Sequence, residues 1–462
     1  MIGMSGFDRR IVLLVVTMTS FLTPFASSSF NIALPSISKE FGLDAITMSW
    51  ASLAYLLASA MFLVPFGKLA DIYGRKKVFL YGTFAFTVAS LLLGVYPSAS
   101  TVIALRALQG VASAMIFGTG IAILVSVTPP REKGAILGVN SAAVYIGLSA
   151  GPFIGGLLTD YLGWRSVLFA TAGLGALAVL FMVWRLRGES TEAGGERFDL
   201  RGSVVYSLML LLLMYGFSLV PSTSSLVPIF LGLVAAGIFL WIEGKAEHPV
   251  LDINLFRNNR VFTFSNVAAL INFSATYAVT FLMSLYLQYI KGLSPEQAGL
   301  ILIASPIVQA VFSPIAGRLS DRIEPRKVAA MGMGITMVGL LPFIFLDAGT
   351  PDLVVIATLG LLGFGLSVFS SPNTNAVMSS VDRRLYGVAS STLGTMRLTG
   401  QMFSMGVTMI IFALLIGRLE IVPAVYPALL SSIKVAFVVF SLFCLVGIFA
   451  SLANSRTEKN AQ

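Results

Sequence analysis

Fourteen apolar runs, each long enough to cross a hydrocarbon layer, confine the charged residues of this chain to short clusters between them. A membrane-spanning helix needs about 20 largely apolar residues. The runs fall at roughly 11–34, 47–66, 78–97, 101–127, 134–159, 166–184, 202–220, 225–242, 261–290, 298–317, 328–346, 353–380, 387–416 and 430–452. The connections are too short to hold a sizeable soluble domain. The first run exceeds the apolar core of a cleavable signal peptide and further runs follow it, so it is expected to be retained.

Composition excludes the main alternatives. Only 11% of the 462 residues are charged and 56% are apolar, whereas a soluble chain carries about 25% charged residues. Too few charges remain to cover a water-exposed surface. One cysteine (Cys444) and one histidine (His248) leave no material for a disulfide framework, a thiolate metal cluster or a His-x-x-x-His zinc site. A Ser/His/Asp relay is equally out of reach. No Gly-x-x-x-x-Gly-Lys-[Ser/Thr] phosphate loop occurs, which disfavours an ATP-driven pump. No enzyme activity, catalytic residue, metal or cofactor is therefore expected.

The basic residues give an orientation. Of the 30 Lys and Arg, 23 lie in the segments on the side of the N-terminus and 5 on the opposite side. Cytoplasmic loops carry the excess of Lys and Arg. Both termini are thus expected in the cytoplasm, with the chain crossing the cytoplasmic membrane repeatedly. The net charge of +9 is spread over eight short segments, so nucleic acid is not an expected partner. The remaining two basic residues, Arg106 and Arg397, fall inside runs.

The chain also repeats itself. Gly67-Lys-Leu-Ala-Asp71 after the second run returns as Gly317-Arg-Leu-Ser-Asp321 after the tenth, at an offset of 250. Arg131, Gly134 and Gly147 return as Arg384, Gly387 and Gly400 at an offset of 253. Related halves with a site near the membrane midplane are how secondary transporters are built. The expected fold is an all-α polytopic membrane protein with 14 transmembrane helices. It consists of two pseudo-symmetric six-helix bundles, residues 1–200 and 246–462, with two extra helices between them in 201–245.

Three motifs carry chemistry. In Gly67-Lys-Leu-Ala-Asp71-Ile-Tyr-Gly74-Arg75-Lys76-Lys77, Gly67 and Gly74 permit a tight turn, and the Asp71 anion suits a helix N-terminus. Arg106-Ala-Leu-Gln109-Gly110 puts a guanidinium inside a span, at a cost of about 2.5–3.5 kcal/mol at mid-helix by insertion scales. Such a residue faces a bundle interior or cavity, or pairs with a backbone carbonyl. In Gly147-Leu-Ser-Ala-Gly151-Pro152-Phe-Ile-Gly155-Gly156, glycines four apart let helices approach closely, and Pro152 bends its helix.

These motifs and the 14 spans resemble the major facilitator superfamily over the whole chain, and in particular its fourteen-span drug/proton antiporter branch. Asn31-Ile-Ala-Leu-Pro35, closing span one, and Gly163-Trp164-Arg165, before span six, agree with it. The resemblance implies a cytoplasmic latch between halves at Gly67, Asp71, Gly74 and Arg75, with the start of span thirteen near Gly387 as its partner. It also implies a coupling role for Arg106, Gln109 and Gly110, and an antiporter motif at Gly147, Gly151, Pro152, Gly155 and Gly156. Arg397, in Arg397-Leu-Thr-Gly400-Gln401, is the deeper intramembrane arginine and joins the coupling candidates by its position.

One departure stands out. The branch usually has an Asp in span one, nine residues before the proline, where this chain has Ala26. Proton coupling normally uses a titrating group in a span, and all 21 Asp and Glu fall in loops or at span ends. Ser27, Asn31, Tyr145, Asn272, Gln309 and Gln401 are candidate cavity residues. As interhelical glue each would contribute about 0.6 kcal/mol on average. The expected function is export of amphipathic organic compounds or drugs by alternating access, with protons the candidate coupling ion and the lipid bilayer and a small amphipath as partners of a monomer. The alternative is a facilitator or exporter of one metabolite that does not couple protons through a span-one carboxylate.

Overall fold

In the computed structural model the described residues are all except 1–5, 97, 129–132, 186–198, 246–252, 321, 383–384 and 453–462. The side chains of 6–9, 71, 133–135, 137–138, 141, 185, 254 and 387 are likewise not described. The described residues form helices joined by short turns, and 14 helical segments are long and apolar enough to span a membrane. A backbone in hydrocarbon must satisfy its own hydrogen bonds, and a helix does so within itself.

The first compact unit comprises residues 1–43, 50–203 and 294–299. Its helices are α1 (Gly6–Phe41), most of α2 (Ala45–Tyr73), α3 (Arg75–Val95), α4 (Ala99–Val127), α5 (Lys133–Leu162) and α6 (Arg165–Arg185). α1 packs on α5, α6 and α4, and α3 packs on α4 and α6.

The second unit comprises residues 44–49, 204–293 and 300–462. It holds most of α7 (Leu200–Ser218), then α8 (Leu226–Glu243), the short α9 (Ile253–Asn258), α10 (Arg260–Thr276) and α11 (Ala278–Leu285). The end of α12 (Pro295–Leu302), α13 (Ala304–Ser320), α14 (Pro325–Leu340), α15 (Asp352–Ser379), α16 (Tyr386–Leu415) and α17 (Tyr426–Leu452) follow. Here α10 packs on α16 and α17, while α14 packs on α15 and α17. With α10 in the role of α1, α14 of α3, α15 of α4, α16 of α5 and α17 of α6, both units use one packing plan.

The end of span one differs from expectation. Span one does not close at Pro35: α1 continues through it to Phe41. A proline interrupts only one backbone hydrogen bond, and the helix stops where Gly42 turns left-handed at φ +58°, a conformation that suits glycine. Span nine reaches Ile290 as expected, running through α10, α11 and a π-turn at Tyr286–Ile290.

α7 turns one stripe inward: Ser203, Tyr206, Leu210, Leu213 and Met214 are all buried. A β-carbon on Gly406 of α16 would meet the Met214 sulfur at 3.0 Å, so α7 lies directly on α16 within the second unit.

Candidate functional site

The turn between α2 and α3 is a single residue, Gly74, at φ +110°. Its N–H donates to the Ala70 carbonyl at 2.9 Å and its own carbonyl accepts from Val78 N–H at 3.3 Å. Arg75 opens α3 directly after it and is part-buried. Gly67 lies against α4, where a β-carbon on Gly118 would sit 3.2 Å from its nitrogen. The Asp71 side chain, Arg131, Arg384 and the details of Gly387 lie outside the described residues.

Arg106 is 1% exposed and anchors a polar cluster made by four helices of the first unit. Its Nε donates to the Ala51 carbonyl of α2 at 3.1 Å, and its Nη1 donates to Gln109 Oε1 at 2.9 Å. The guanidinium plane stands 4.2 Å from the Phe30 ring centre and 4.4 Å from that of Tyr55. Gln109 passes the chain of bonds to Ser90 of α3 at 2.8 Å. Asn31, next to Phe30, accepts from Ser52, next to Ala51, at 2.9 Å. Tyr55 and Ser113 share a bond of 2.8 Å, and Ser59 donates to the Gly110 carbonyl at 3.1 Å. Arg106, Gln109, Gly110 and Asn31 thus meet in one place. A cation desolvated between aromatic faces is held by the ring quadrupoles as well as by its bonds.

The α5 glycines form a flat strip against α1. A β-carbon on Gly147 would lie closer than 3.0 Å to the Phe21 carbonyl oxygen, one on Gly151 closer than that to the Ser28 hydroxyl, and one on Gly155 2.6 Å from Ser29 Cβ. Gly156, on the adjoining face, approaches the Pro295 carbonyl within the same unit. Pro152 sits inside α5. Ala26 is 5% exposed and Ser27 is also buried. Nearby, Ser28 and Ser29 donate to the Pro24 and Phe25 carbonyls of their own helix at 2.8 and 2.6 Å.

At the end of α5, Gly163 turns left-handed at φ +78°. Trp164 Nε1 and Arg165 Nη1 both donate to Glu40 Oε2, at 2.7 and 2.9 Å.

In the second unit Arg397 is part-buried. Its Nη2 donates to Thr374 Oγ1 of α15 at 2.7 Å, and its guanidinium lies 5.6 Å from the Phe273 ring centre of α10. Gly400, one turn on, closes α16 onto the Leu270 carbonyl and Phe273 Cβ of α10. Asn272 is wholly buried and donates to the Met333 sulfur at 3.2 Å. It is therefore packed between helices and does not face open space. Tyr145, Gln309 and Gln401 are part-buried.

Sequence reasoning did not single out Phe30, Ser52, Tyr55, Ser59, Ser90, Ser113, Phe273 or Thr374. The legible signal was the polar spacing Ser52, Tyr55, Ser59 on α2, which matches Arg106, Gln109, Gly110, Ser113 on α4 at three- and four-residue steps.

Fourteen apolar helices and one packing plan used twice, with a polar cluster buried in the first unit, define a repeat-built membrane transporter. The sequence model of the Major Facilitator Superfamily matches residues 16–405 and 265–462, and the chain belongs to that superfamily. It is a multi-pass membrane transporter and not an enzyme.

The chain is 30% identical over 393 residues to the riboflavin transporter RibZ of Clostridioides difficile (strain 630), covering 84% of this chain and 85% of that protein. It is 31% identical over 376 residues to the multidrug resistance protein Stp of Mycobacterium tuberculosis (strain ATCC 25618 / H37Rv), covering 80% and 70%. It is 31% identical over 402 residues to the cephamycin export protein CmcT of Amycolatopsis lactamdurans, covering 84% and 82%. In fold it is similar to a bacterial homolog of the human lysosomal transporter Spinster, solved in an inward-facing and unoccupied conformation. That match has a TM-score of 0.74 and 16% identity and covers 100% of this chain and 99% of that one.

Proposed function

We propose that this transporter is a monomeric exporter of small amphipathic organic compounds, drugs among them, across the cytoplasmic membrane by proton antiport. The observation that carries this reading is the glycine strip of α5. Gly147, Gly151 and Gly155 recur every four residues against α1, and Pro152 breaks the hydrogen-bond ladder between them. A helix so built bends at its proline while keeping contact with its neighbour. Alternating access needs such an element, in which each half moves as a body.

Relatives named for multidrug resistance and for cephamycin export support the export direction. Gly67, Asp71, Gly74 and Arg75 serve as the cytoplasmic latch, and Arg106, Gln109 and Gly110 belong to the coupling machinery. Both termini lie in the cytoplasm, on the side that carries most Lys and Arg.

A second reading is favoured by Ala26. Without a carboxylate there, the chain exports or equilibrates one metabolite, as the similarity to a protein named for riboflavin transport suggests. Dye efflux from proteoliposomes, with and without an imposed pH gradient, separates the two. Antiport predicts that collapsing the gradient abolishes uphill efflux. Unchanged efflux removes proton coupling from the proposal.

A further inference from the structure

The interior of the spans is positively charged. Every Asp or Glu inside the 14 candidate spans lies within two residues of a span end, whereas Arg397 lies nine residues inside the span Val388–Leu415. We propose that Arg397 is the recognition point for an anionic group, a carboxylate, on the amphipathic substrate, so that organic anions are the preferred cargo. This rests on the export reading above and names its substrate class.

The two intramembrane arginines differ in what surrounds them. Arg106 is 1% exposed and is enclosed by two aromatic rings, a backbone carbonyl and Gln109. It is built into the wall. Arg397 is part-buried, and so are Thr374 and Phe273, which are among the residues it meets. The patch they form comes from α16, α15 and α10 of one unit and remains reachable from outside the packed core. Its placement is rigid, because Gly400 one turn away fixes α16 against α10.

A guanidinium keeps its charge under all physiological conditions, and its planar fork matches a carboxylate with two parallel N–H···O bonds. In a low-dielectric site that attraction is far stronger than in water. Gln401, four residues on and part-buried, shares the Arg397 helix face and adds an amide beside it. A cationic substrate would meet the same charge as repulsion. The apolar remainder of an amphipathic anion is served by the Phe273 side of the patch.

The test uses the full chain in proteoliposomes with a panel of fluorescent carboxylates and quaternary ammonium dyes, carboxyfluorescein and ethidium among them. The wild type is expected to export the carboxylates. Arg397→Gln is expected to raise KM for them at least tenfold and to change KM for ethidium by far less, so that the ratio between the two dye classes shifts. Arg397→Lys, which keeps the charge but loses the fork, is expected to fall between the two for carboxylates only. Melting curves in detergent report whether each variant is folded, and Arg397→Lys carries the test alone if Arg397→Gln is not.

Export of ethidium but of no carboxylate by the wild type overturns the inference and leaves the export reading standing. Equal losses on both dye classes in folded variants also overturn it, by showing a general structural role. Export of neither class removes the export reading, and the inference with it.

Discussion

A β-carbon on Gly110 would lie closer than 3.0 Å to the Tyr55 carbonyl oxygen, and Gly363 stands in the same relation to the Ser305 carbonyl. The two pairs are separated by 253 and 250 residues, the offsets at which the sequence repeats. In each unit this contact seats the fourth helix of the packing plan on the second, α4 on α2 and α15 on α13, with backbone touching side-chain-free backbone. Gly110→Ala is expected to force the helices apart at an overpacking cost of about 1–3 kcal/mol, because the obstacle is main chain and cannot swing away. The detergent-solubilised variant should melt several degrees lower, and Gly363→Ala should lower the midpoint comparably. Two unchanged midpoints would show that the contact carries no strain.

Arg106→Lys tests the polar cluster. A lysine keeps the charge but cannot lie flat between Phe30 and Tyr55 while donating to both Ala51 and Gln109. Hydrogen bonds to charged groups are worth about 1.5–3 kcal/mol, and one of them is lost outright. Reduced thermal stability and at least tenfold slower export are the expected outcomes. A lysine variant with normal stability and turnover would reduce the cluster to a topological anchor.

The α5 strip gives a prediction with its own rescue. In Gly151→Ala the new methyl collides first with the Ser28 hydroxyl, and then with the Ser29 nitrogen at 3.0 Å. Export by this variant should fall. Ser28→Gly in the same chain should recover part of it by removing the nearest obstacle, a coupling that a double-mutant cycle measures. Additive losses would place the effect somewhere other than this contact.

Ala26→Asp supplies the carboxylate that the drug/proton antiporter branch usually has in span one. The site is 5% exposed, so the new group is desolvated, and burial favours its neutral form. Export of quaternary ammonium dyes should increase and should acquire a steeper dependence on pH. Identical dye kinetics before and after the substitution would argue that position 26 lies off the transport path.

Much of the architecture can be read without coordinates. The 14 spans follow from where charge is absent, since hydrocarbon tolerates little else. The repeat was visible at Gly67 and Gly317 and at Gly147 and Gly400, and the last two make corresponding close approaches, Gly147 to the Phe21 carbonyl and Gly400 to the Leu270 carbonyl, each in its own unit. Such positions tolerate no side chain, so their spacing survives when most other residues have changed.

The partners of the arginines were less visible. Ser52, Ser90 and Thr374 are ordinary hydroxyl residues whose importance comes from what lies across the helix gap, and a single sequence does not encode that distance. Pro35 misled for a local reason: one missing donor is too small a loss to end a helix that is otherwise well buried in its bundle.

The serines of α1 hold one more consequence. Ser28 and Ser29 have already given their hydroxyl protons to carbonyls of their own helix at 2.8 and 2.6 Å, and Ser28 reaches the Gly147 carbonyl of α5 only at 3.5 Å. At Gly147, Gly151 and Gly155 the seam between α1 and α5 is therefore a bearing: the two surfaces meet there by shape, so a small slide of one helix along the other changes mainly van der Waals contact at those points.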